Sequence, residues 1–486
     1  MQEVEINASN VPSKKEAKTN LIYNINDKPP FQKTFLAALQ MLLAVLAGTI
    51  AVPMIVGNGM SQSAALFGAG VGTIIYLVIT RFRSPAFLSS SFSFIGATSA
   101  AFAGAMSMSV GYLGIVIGSI LAGLVYVVLS VLTKFIGTDW IDKVMPPVII
   151  GPVVMILGLV LAPDAISKLF LGNVIDASTA LPTANKYLCL AVGLITLFSI
   201  IAIASHAKKT LKLIPFLVGI GIGYVVALIF TLIGLASNNV ELQIIDFSVF
   251  NNIQWYPDFA FLKAIDGIKF LNENNSWGEF GKYVGMIALA YIPVSFVSFA
   301  EHIADHKNMS FLTARDLITD PGLSRTVMGD GAASMVGGII FGCPNTTYSE
   351  VVSCLSISRN ASTRVPLYTA IMAILISFVG PFITFLSTIP QCVIGGLCIG
   401  LYGFISASGL MMLKKVDMTD LRNIFVVSTI LVCGVGGLIL QFGNVSVSAI
   451  AIALVLGILV NQIAKVPSRI EEAKENKNTN NEDENQ

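Results

Sequence analysis

Runs of about 20 apolar residues, the length needed to cross a hydrocarbon core roughly 30 Å thick, recur from Phe35 to Ala464. In lipid a backbone must satisfy its own hydrogen bonds, so such runs fold as helices. Of the 486 residues, 55% are hydrophobic and 12% charged. Soluble domains carry about 25% charged residues, so this chain is too poor in charge for a water-facing surface. The net charge of +1 offers no bulk attraction to nucleic acid or to an acidic partner. Residues 1–30 are polar and mixed in charge, and the first apolar run is too long for the core of a cleaved signal. Cys189, Cys343, Cys354, Cys392, Cys398 and Cys433 fall in or beside apolar segments without CxxC or His/Cys clustering. They read as small buried hydrophobes, not as disulfides or metal ligands.

Apolar segments lie near 35–56, 63–80, 86–106, 110–133, 145–166, 186–205, 213–236, 283–306, 326–340, 343–358, 365–388, 391–413, 423–441 and 445–464, which makes fourteen. Hydropathy alone does not decide the short third, ninth and tenth; charge does. Cytoplasmic loops are enriched in Lys and Arg. With the N-terminus inside, every even-numbered segment must end inside. These ends meet Arg81 and Arg83; Lys134 and Lys143; Lys208, Lys209 and Lys212; Lys307, Arg315 and Arg325; Arg359 and Arg364; Lys414, Lys415 and Arg422; Lys465 and Arg469. The outside loops near 107–109, 341–342, 389–390 and 442–444 carry neither Lys nor Arg; 167–185 plus Lys186 and the long loop 237–282 are the exceptions. Dropping any single segment would reverse every later loop. The expected place is therefore the cell (inner) membrane, with both termini cytoplasmic. Residues 1–30 form a cytoplasmic tail, and 465–486 a polar, disordered one. The loop 237–282 contains Trp255, Tyr256 and Trp277. It reads as an outside loop with a short surface helix, or equally as a plain linker.

Fourteen segments divide into seven (31–236) and seven (283–464). An odd number per half inverts the second half relative to the first, the plan of many secondary transporters, in which interrupted segments at matching positions mark the binding site. The third segment of the first half runs Ser84-Pro85-Ala86-Phe87-Leu88-Ser89-Ser90-Ser91-Phe92-Ser93-Phe94. Its counterpart runs Gly342-Cys343-Pro344-Asn345-Thr346-Thr347-Tyr348-Ser349-Glu350. Each opens on proline, continues through a β-prone or small polar stretch, and then turns helical. Irregular backbone at membrane depth is tolerated where it lines a protein-enclosed cavity. The two segments are expected to meet near the midplane and present helix N-termini to a ligand; the plainer alternative is a pair of Pro-kinked helices.

Glu301 follows the apolar stretch Tyr283–Ala300, and Asp305 stands four residues further on, on the same helix face. Glu350 sits in the tenth segment. Carboxyls inside a bilayer cost at least ~2.5 kcal/mol each and mark function by default. A cluster of them suits a proton carrier. The competing reading ends the eighth segment at Ala300 and leaves Glu301 to Lys307 as a solvated cap. His302 and His306 are expected at the interface. The glycines around Tyr402 are explained by helix packing.

Glu301-His302-Ile303, then Arg315-Asp316-Leu317 with Asp320-Pro321-Gly322-Leu323, then Pro344-Asn345-Thr346-Thr347-Tyr348-Ser349-Glu350 resemble the nucleobase–ascorbate transporter family, and its bacterial uracil and uracil/xanthine permeases in particular. The resemblance runs from about Phe31 to Ala464. It implies an all-α polytopic membrane protein of fourteen segments in a 7+7 inverted repeat, with short strands in segments three and ten, a core and a gate domain, and a homodimer. By position, Glu301 and Glu350 resemble the carboxylates that hydrogen-bond the base. The backbone around Phe92, Tyr348 and Ser349 resembles the strand groups that complete the site, and Tyr402 a gate tyrosine. Chemically, carboxylates accept the N–H donors of an imide while backbone N–H groups meet its carbonyls.

Three positions depart from the family pattern. Asp305 replaces the His of uracil permeases and is found in purine-transporting branches. Val351-Val352-Ser353 replaces Asn-x-Gly, and Gln40-Met41 replaces Gln-His. The expected function is proton-coupled uptake of uracil, with Glu301 and Asp305 as the proton-coupling pair and xanthine or another oxopurine as the runner-up. An anion carrier of the same fold would favour a neutral or basic site over two carboxylates. A channel needs a symmetric ring of ligands. No enzyme motif, metal cluster or cofactor site is present in the sequence.

Overall fold

A computed structural model of the protein describes residues 21–137, 140, 146–175, 181–208, 211, 214–251, 253–414, 416–442, 445–447, 449–450 and 452–464. The tail 465–486 and most of the tail 1–30 lie outside these. The chain is mostly helical. Among the described residues, eight helices are long and apolar enough to cross a membrane, or nine if Arg364–Ser377 and Gly380–Ser387, bent by 83°, form one broken span. The break falls just before Pro381, whose missing N–H and ring close the preceding helix.

Two compact units are formed. One comprises Met1–Gly137 and Ala162–Leu401; the other comprises Thr138–Leu161 and Tyr402–Gln486. The first unit begins with α1 (Phe31–Val56) and α2 (Gln62–Ile79). Strand β1 (Leu88–Ser90), a 3-10 turn (Phe92–Phe94) and α3 (Ile95–Ala103) follow, then α4 (Met108–Ile136). In the other unit, α5 (Pro147–Val160) packs against the later helix Leu421–Val435. A Cβ on Gly434 would stand 2.5 Å from Ile156 Cδ1, so these two helices touch across a glycine. The first unit resumes with α6 (Ala162–Lys168), α7 (Lys186–His206), α8 (Pro215–Ala236), α9 (Ala260–Glu273), α10 (Trp277–Thr313) and α11 (Leu323–Ile340). Then come strand β2 (Asn345–Thr347), α12 (Ser349–Ser358), α13 (Arg364–Ser377) and α14 (Gly380–Ser387). Helix α15 (Gln391–Leu413) carries the chain from one unit into the other.

Helices α2, α4 and α11 form the packed centre of the first unit. A Cβ on Gly123 would lie 2.7 Å from the Gly331 carbonyl oxygen, so α4 and α11 approach backbone to backbone. Small residues allow this, and in lipid such contact supplies much of the helix association. The third and tenth segments are strand-then-helix as expected, and β1 pairs antiparallel with β2, Leu88 opposite Thr347 and Ser90 opposite Asn345. Simple Pro-kinked helices do not describe them.

Two expectations, interfacial histidines and helices throughout the last two segments, need correction, and two of the alternatives fall away. Helix α10 continues through Glu301 to Thr313, and His302, Asp305 and His306 are buried. A helix with these three side chains inside is no solvated cap, and His302 and His306 are not interfacial. The segments near 423–441 and 445–464 are not helical throughout: α16 (Leu421–Val435) gives way to paired strands β3 (Leu440–Phe442) and β4 (Val445–Val447) before α17 (Ile452–Ala464). Gly436 and Gly437, the latter at φ +69, end α16 early. The loop 237–282 is no plain linker; it contains α9, which packs against α4.

Candidate functional site

Two three-residue strands are too short to hold together alone; their neighbours pin them. Leu88 N donates to Thr73 Oγ1 (2.9 Å), and Thr73 Oγ1 donates to the Leu88 carbonyl (3.1 Å). Thr49 and Ser89 share a hydroxyl hydrogen bond of 2.6 Å. Across the pair, Ser334 Oγ donates to the Asn345 carbonyl (2.5 Å), and Asn345 Nδ2 to the Gly68 carbonyl (2.8 Å). A Cβ on Gly72 or Gly337 would come within 2.5 or 2.6 Å of Asn345 Nδ2, so glycines on α2 and α11 make the slot for this side chain.

Each strand runs into a helix start, and there the site residues collect. Tyr348, buried, donates from its hydroxyl to the Ser90 carbonyl (2.6 Å) and stacks on Phe92, ring centroids 5.9 Å apart. Phe92 is half-buried. Ser349 opens α12; its side chain lies outside the described residues. Glu350, half-buried, occupies the first turn of α12, where backbone N–H groups have no intrahelical acceptors. The far end of α12 is anchored too: Ile22 N and Tyr23 N donate to the Arg359 carbonyl (2.8 and 3.2 Å), and Ala361 N to that of Tyr23 (2.9 Å).

Helix α10 supplies the other carboxyls. Glu301 Oε2 accepts from Ser93 Oγ at 3.0 Å, which joins α10 to the 3-10 turn after β1. Asp305 Oδ2 accepts from Thr347 Oγ1 at 2.9 Å, which joins the same helix to β2. Glu301 lies within Coulombic reach of Asp305, of Asp330 on α11 and of Glu350. The sequence points to Glu301, Asp305 and Glu350 but not to Asp330. Asp330 is fully buried, its Oδ2 2.7 Å from His302 Nδ1. Its signal was available, since it interrupts the apolar segment 326–340 as Glu350 interrupts the tenth. Ser93 and Thr347 had no such signal; a hydroxyl in a membrane helix or strand is ordinary.

The two histidines form a second polar row. His306 Nδ1 donates to the His302 carbonyl (2.9 Å), which leaves Nε2 as acceptor beside Tyr76 Oη (2.7 Å) and Ser84 Oγ (3.2 Å). Their rings stack at 4.0 Å. Outside the membrane segments, Arg315 and Arg83 both donate to Asp320 and hold its carboxyl below the ordinary carboxylate range. That cluster ties the start of the β1 segment to the loop after α10. Tyr402 is buried on α15 and belongs to the second unit, while Phe92, Glu301, Asp305, Tyr348 and Glu350 belong to the first.

Partly open carboxylates beside two helix starts can accept N–H donors from a neutral ligand while backbone N–H groups meet its carbonyls. The adjoining acids can hold a proton. Membrane-length helices around broken, strand-paired segments describe a polytopic membrane protein built as transporters are. The chain belongs to the Permease family, whose model matches residues 32–442. It is 35% identical over 447 residues to the uracil permease of Bacillus caldolyticus, covering 91% of this chain and 94% of that one. To the uracil permease of Bacillus subtilis (strain 168) it is 35% identical over 430 residues, covering 88% and 91%. To the putative pyrimidine permease RutG of Escherichia coli (strain K12) it is 29% identical over 445 residues, covering 90% and 91%. The fold is also shared with the transmembrane domain of the cyanobacterium bicarbonate transporter BicA, at TM-score 0.57 and 16% identity over 91% of this chain and all of that one (100%). Murine Slc26a9, an anion transporter, matches at TM-score 0.61 and 9% identity over 91% and 69%. Such distant likeness speaks for the fold alone; substrate choice belongs to the site.

Proposed function

We propose that this permease takes up a nucleobase, uracil first, together with a proton, by alternating access. The observation that carries the reading is the placement of Glu350 at the helix start after β2, within Coulombic reach of Glu301 on α10. In this reading Glu301 and Glu350 accept the base's N–H groups. Backbone N–H groups around Phe92, Tyr348 and Ser349 meet its carbonyls, and Tyr402 is the counterpart of the family's gate tyrosine. Glu301 and Asp305 carry the proton. Three carboxyls with a fourth at Asp330 repel an anion, which disfavours bicarbonate or sulfate despite the shared fold. The names of the relatives point to uracil. Xanthine stands second because Asp305 occupies a position where uracil permeases carry His. The deciding measurement is radiolabelled uracil uptake into proteoliposomes against a panel of unlabelled bases. Uracil is expected to compete best; bicarbonate competing as well as uracil would end this reading.

The fourteen-segment, 7+7 arrangement, with 31–236 and 283–464 as its halves and core and gate domains built from them, belongs to the same proposal, as does a homodimer in the cell inner membrane. With both termini cytoplasmic, cysteines introduced by Thr319→Cys and Asn480→Cys are expected to react only with a membrane-permeant reagent. Labelling of either by an impermeant reagent in intact cells overturns the orientation.

A further inference from the structure

The proposed cycle asks Glu301 to hold a base and a proton at once, and those tasks compete for the same two oxygens. The geometry around Glu301 separates them. Oε2 is engaged by the Ser93 hydroxyl at 3.0 Å, and no described hydrogen bond engages Oε1. Ser93 is buried, at 6% exposure, while Glu301 is partly open. A hydroxyl is a donor and an acceptor, and its hydrogen rotates. Toward a carboxylate Ser93 donates; toward a carboxylic acid it accepts. The contact therefore survives protonation with its direction reversed.

We propose that Ser93 is the positioning residue that lets Glu301 carry proton and substrate together, by accepting a hydrogen bond from the protonated Oε2 while Oε1 stays an acceptor for the base. This rests on the reading that Glu301 touches the base. The proton comes from water on the entry side, binds Oε2 and leaves from it to water on the other side; the hydrogen bond to Ser93 changes direction twice. Without Ser93 the acid O–H of Glu301 lacks this partner, and a buried donor without an acceptor is costly. The other titratable groups near Glu301 are Asp305 on its own helix, Asp330 on α11, Glu350 on α12 and Tyr126 on α4, with the neighbouring His302 turned to Asp330 and Thr326. Because these groups are titratable too, the effect of Ser93 must be read as a change in shape of the pH profile. Because proton and base binding are linked reciprocally, a hydroxyl that stabilises the doubly loaded state raises base affinity at acid pH.

The test is uracil affinity across pH in purified, reconstituted protein. For Ser93→Ala, affinity is expected to fall about tenfold at about pH 5.5 but only about twofold at about pH 8. Ser93→Thr, which keeps the hydroxyl, is expected to follow the wild-type profile. A Ser93→Ala loss that is the same at both pH values, or absent, overturns the proposal, because a merely structural role does not depend on the protonation of Glu301. If Ser93→Ala does not fold, Ser93→Cys, whose thiol donates and accepts weakly, carries the same expectation. Glu301→Ala separates the two readings. Full affinity in that variant removes Glu301 from the site and fails the functional proposal. Lost affinity with a flat Ser93→Ala profile fails the Ser93 proposal alone.

Discussion

Glu350→Gln is expected to lose about 2 kcal/mol or more of base affinity, some 30-fold in Kd, without unfolding the protein. Glu350 sits in the first turn of α12, immediately after the strand that pairs with β1. At that place a carboxylate offers acceptor oxygens only. The amide replaces one acceptor with a donor, which then faces an N–H of the base. Two donors then face each other with the base bound between them, and neither finds there the partner it has in solution. The fold should be indifferent, since the change is isosteric and Glu350 is only half-buried. Equilibrium binding of labelled uracil, with a melting profile as the control for folding, checks it. Unchanged affinity places Glu350 outside the site.

Asp305→Asn is expected to abolish gradient-driven accumulation while preserving most of the exchange of labelled for unlabelled base. Asp305 is 2% exposed, one helical turn from Glu301 on the same face. In the proposed cycle these two carboxyls share a proton and titrate as a pair. Asparagine cannot join that titration, but its side-chain oxygen still accepts from Thr347, whose hydroxyl now lies 2.9 Å from Asp305 Oδ2. The tie between α10 and β2 is kept, so the site should keep its shape while the proton pathway is cut. The expected result is accumulation reduced about tenfold or more under an imposed pH gradient, with equilibrium exchange within about threefold of wild type. Full accumulation in Asp305→Asn removes Asp305 from the proton route. His306 is then a poor replacement, because its Nδ1 is committed to the His302 carbonyl and its Nε2 to Tyr76 and Ser84.

Much of this protein could be read from residue order because a membrane simplifies the physics. Hydrocarbon forces helices wherever about 20 apolar residues recur. The same solvent makes Glu301 and Glu350 conspicuous, since a carboxyl there needs a reason. Pro85 and Pro344, each before a small polar stretch, announced that segments three and ten could not be plain spans, and Leu88–Ser90 and Asn345–Thr347 are indeed strands. Other features stayed hidden. The end of α10 was ambiguous because Glu301 to Lys307 is rich in polar residues, as a solvated cap would be. Only the packing of α11, bringing Asp330 against His302, and of β2, bringing Thr347 against Asp305, shows that these groups are inside. The hairpin of Leu440–Phe442 and Val445–Val447 was missed because short apolar runs fit helix and strand alike.

By itself, then, the order of residues determined that the chain is a multi-pass membrane protein and that Glu301, Asp305 and Glu350 are carboxyls within or beside apolar segments. Those properties depend on the solvent and on local chain chemistry, which act on each residue where it stands. The tertiary structure alone decided the pairing of Ser90 with Asn345, the hydroxyl of Ser93 on Glu301 and the slot between Gly72 and Gly337 that Asn345 fills. Each of these joins residues far apart in the chain through a hydrogen bond or a close approach of a few ångströms. Neither periodicity nor composition contains a distance of that kind, because it is fixed by how helices pack once they have formed.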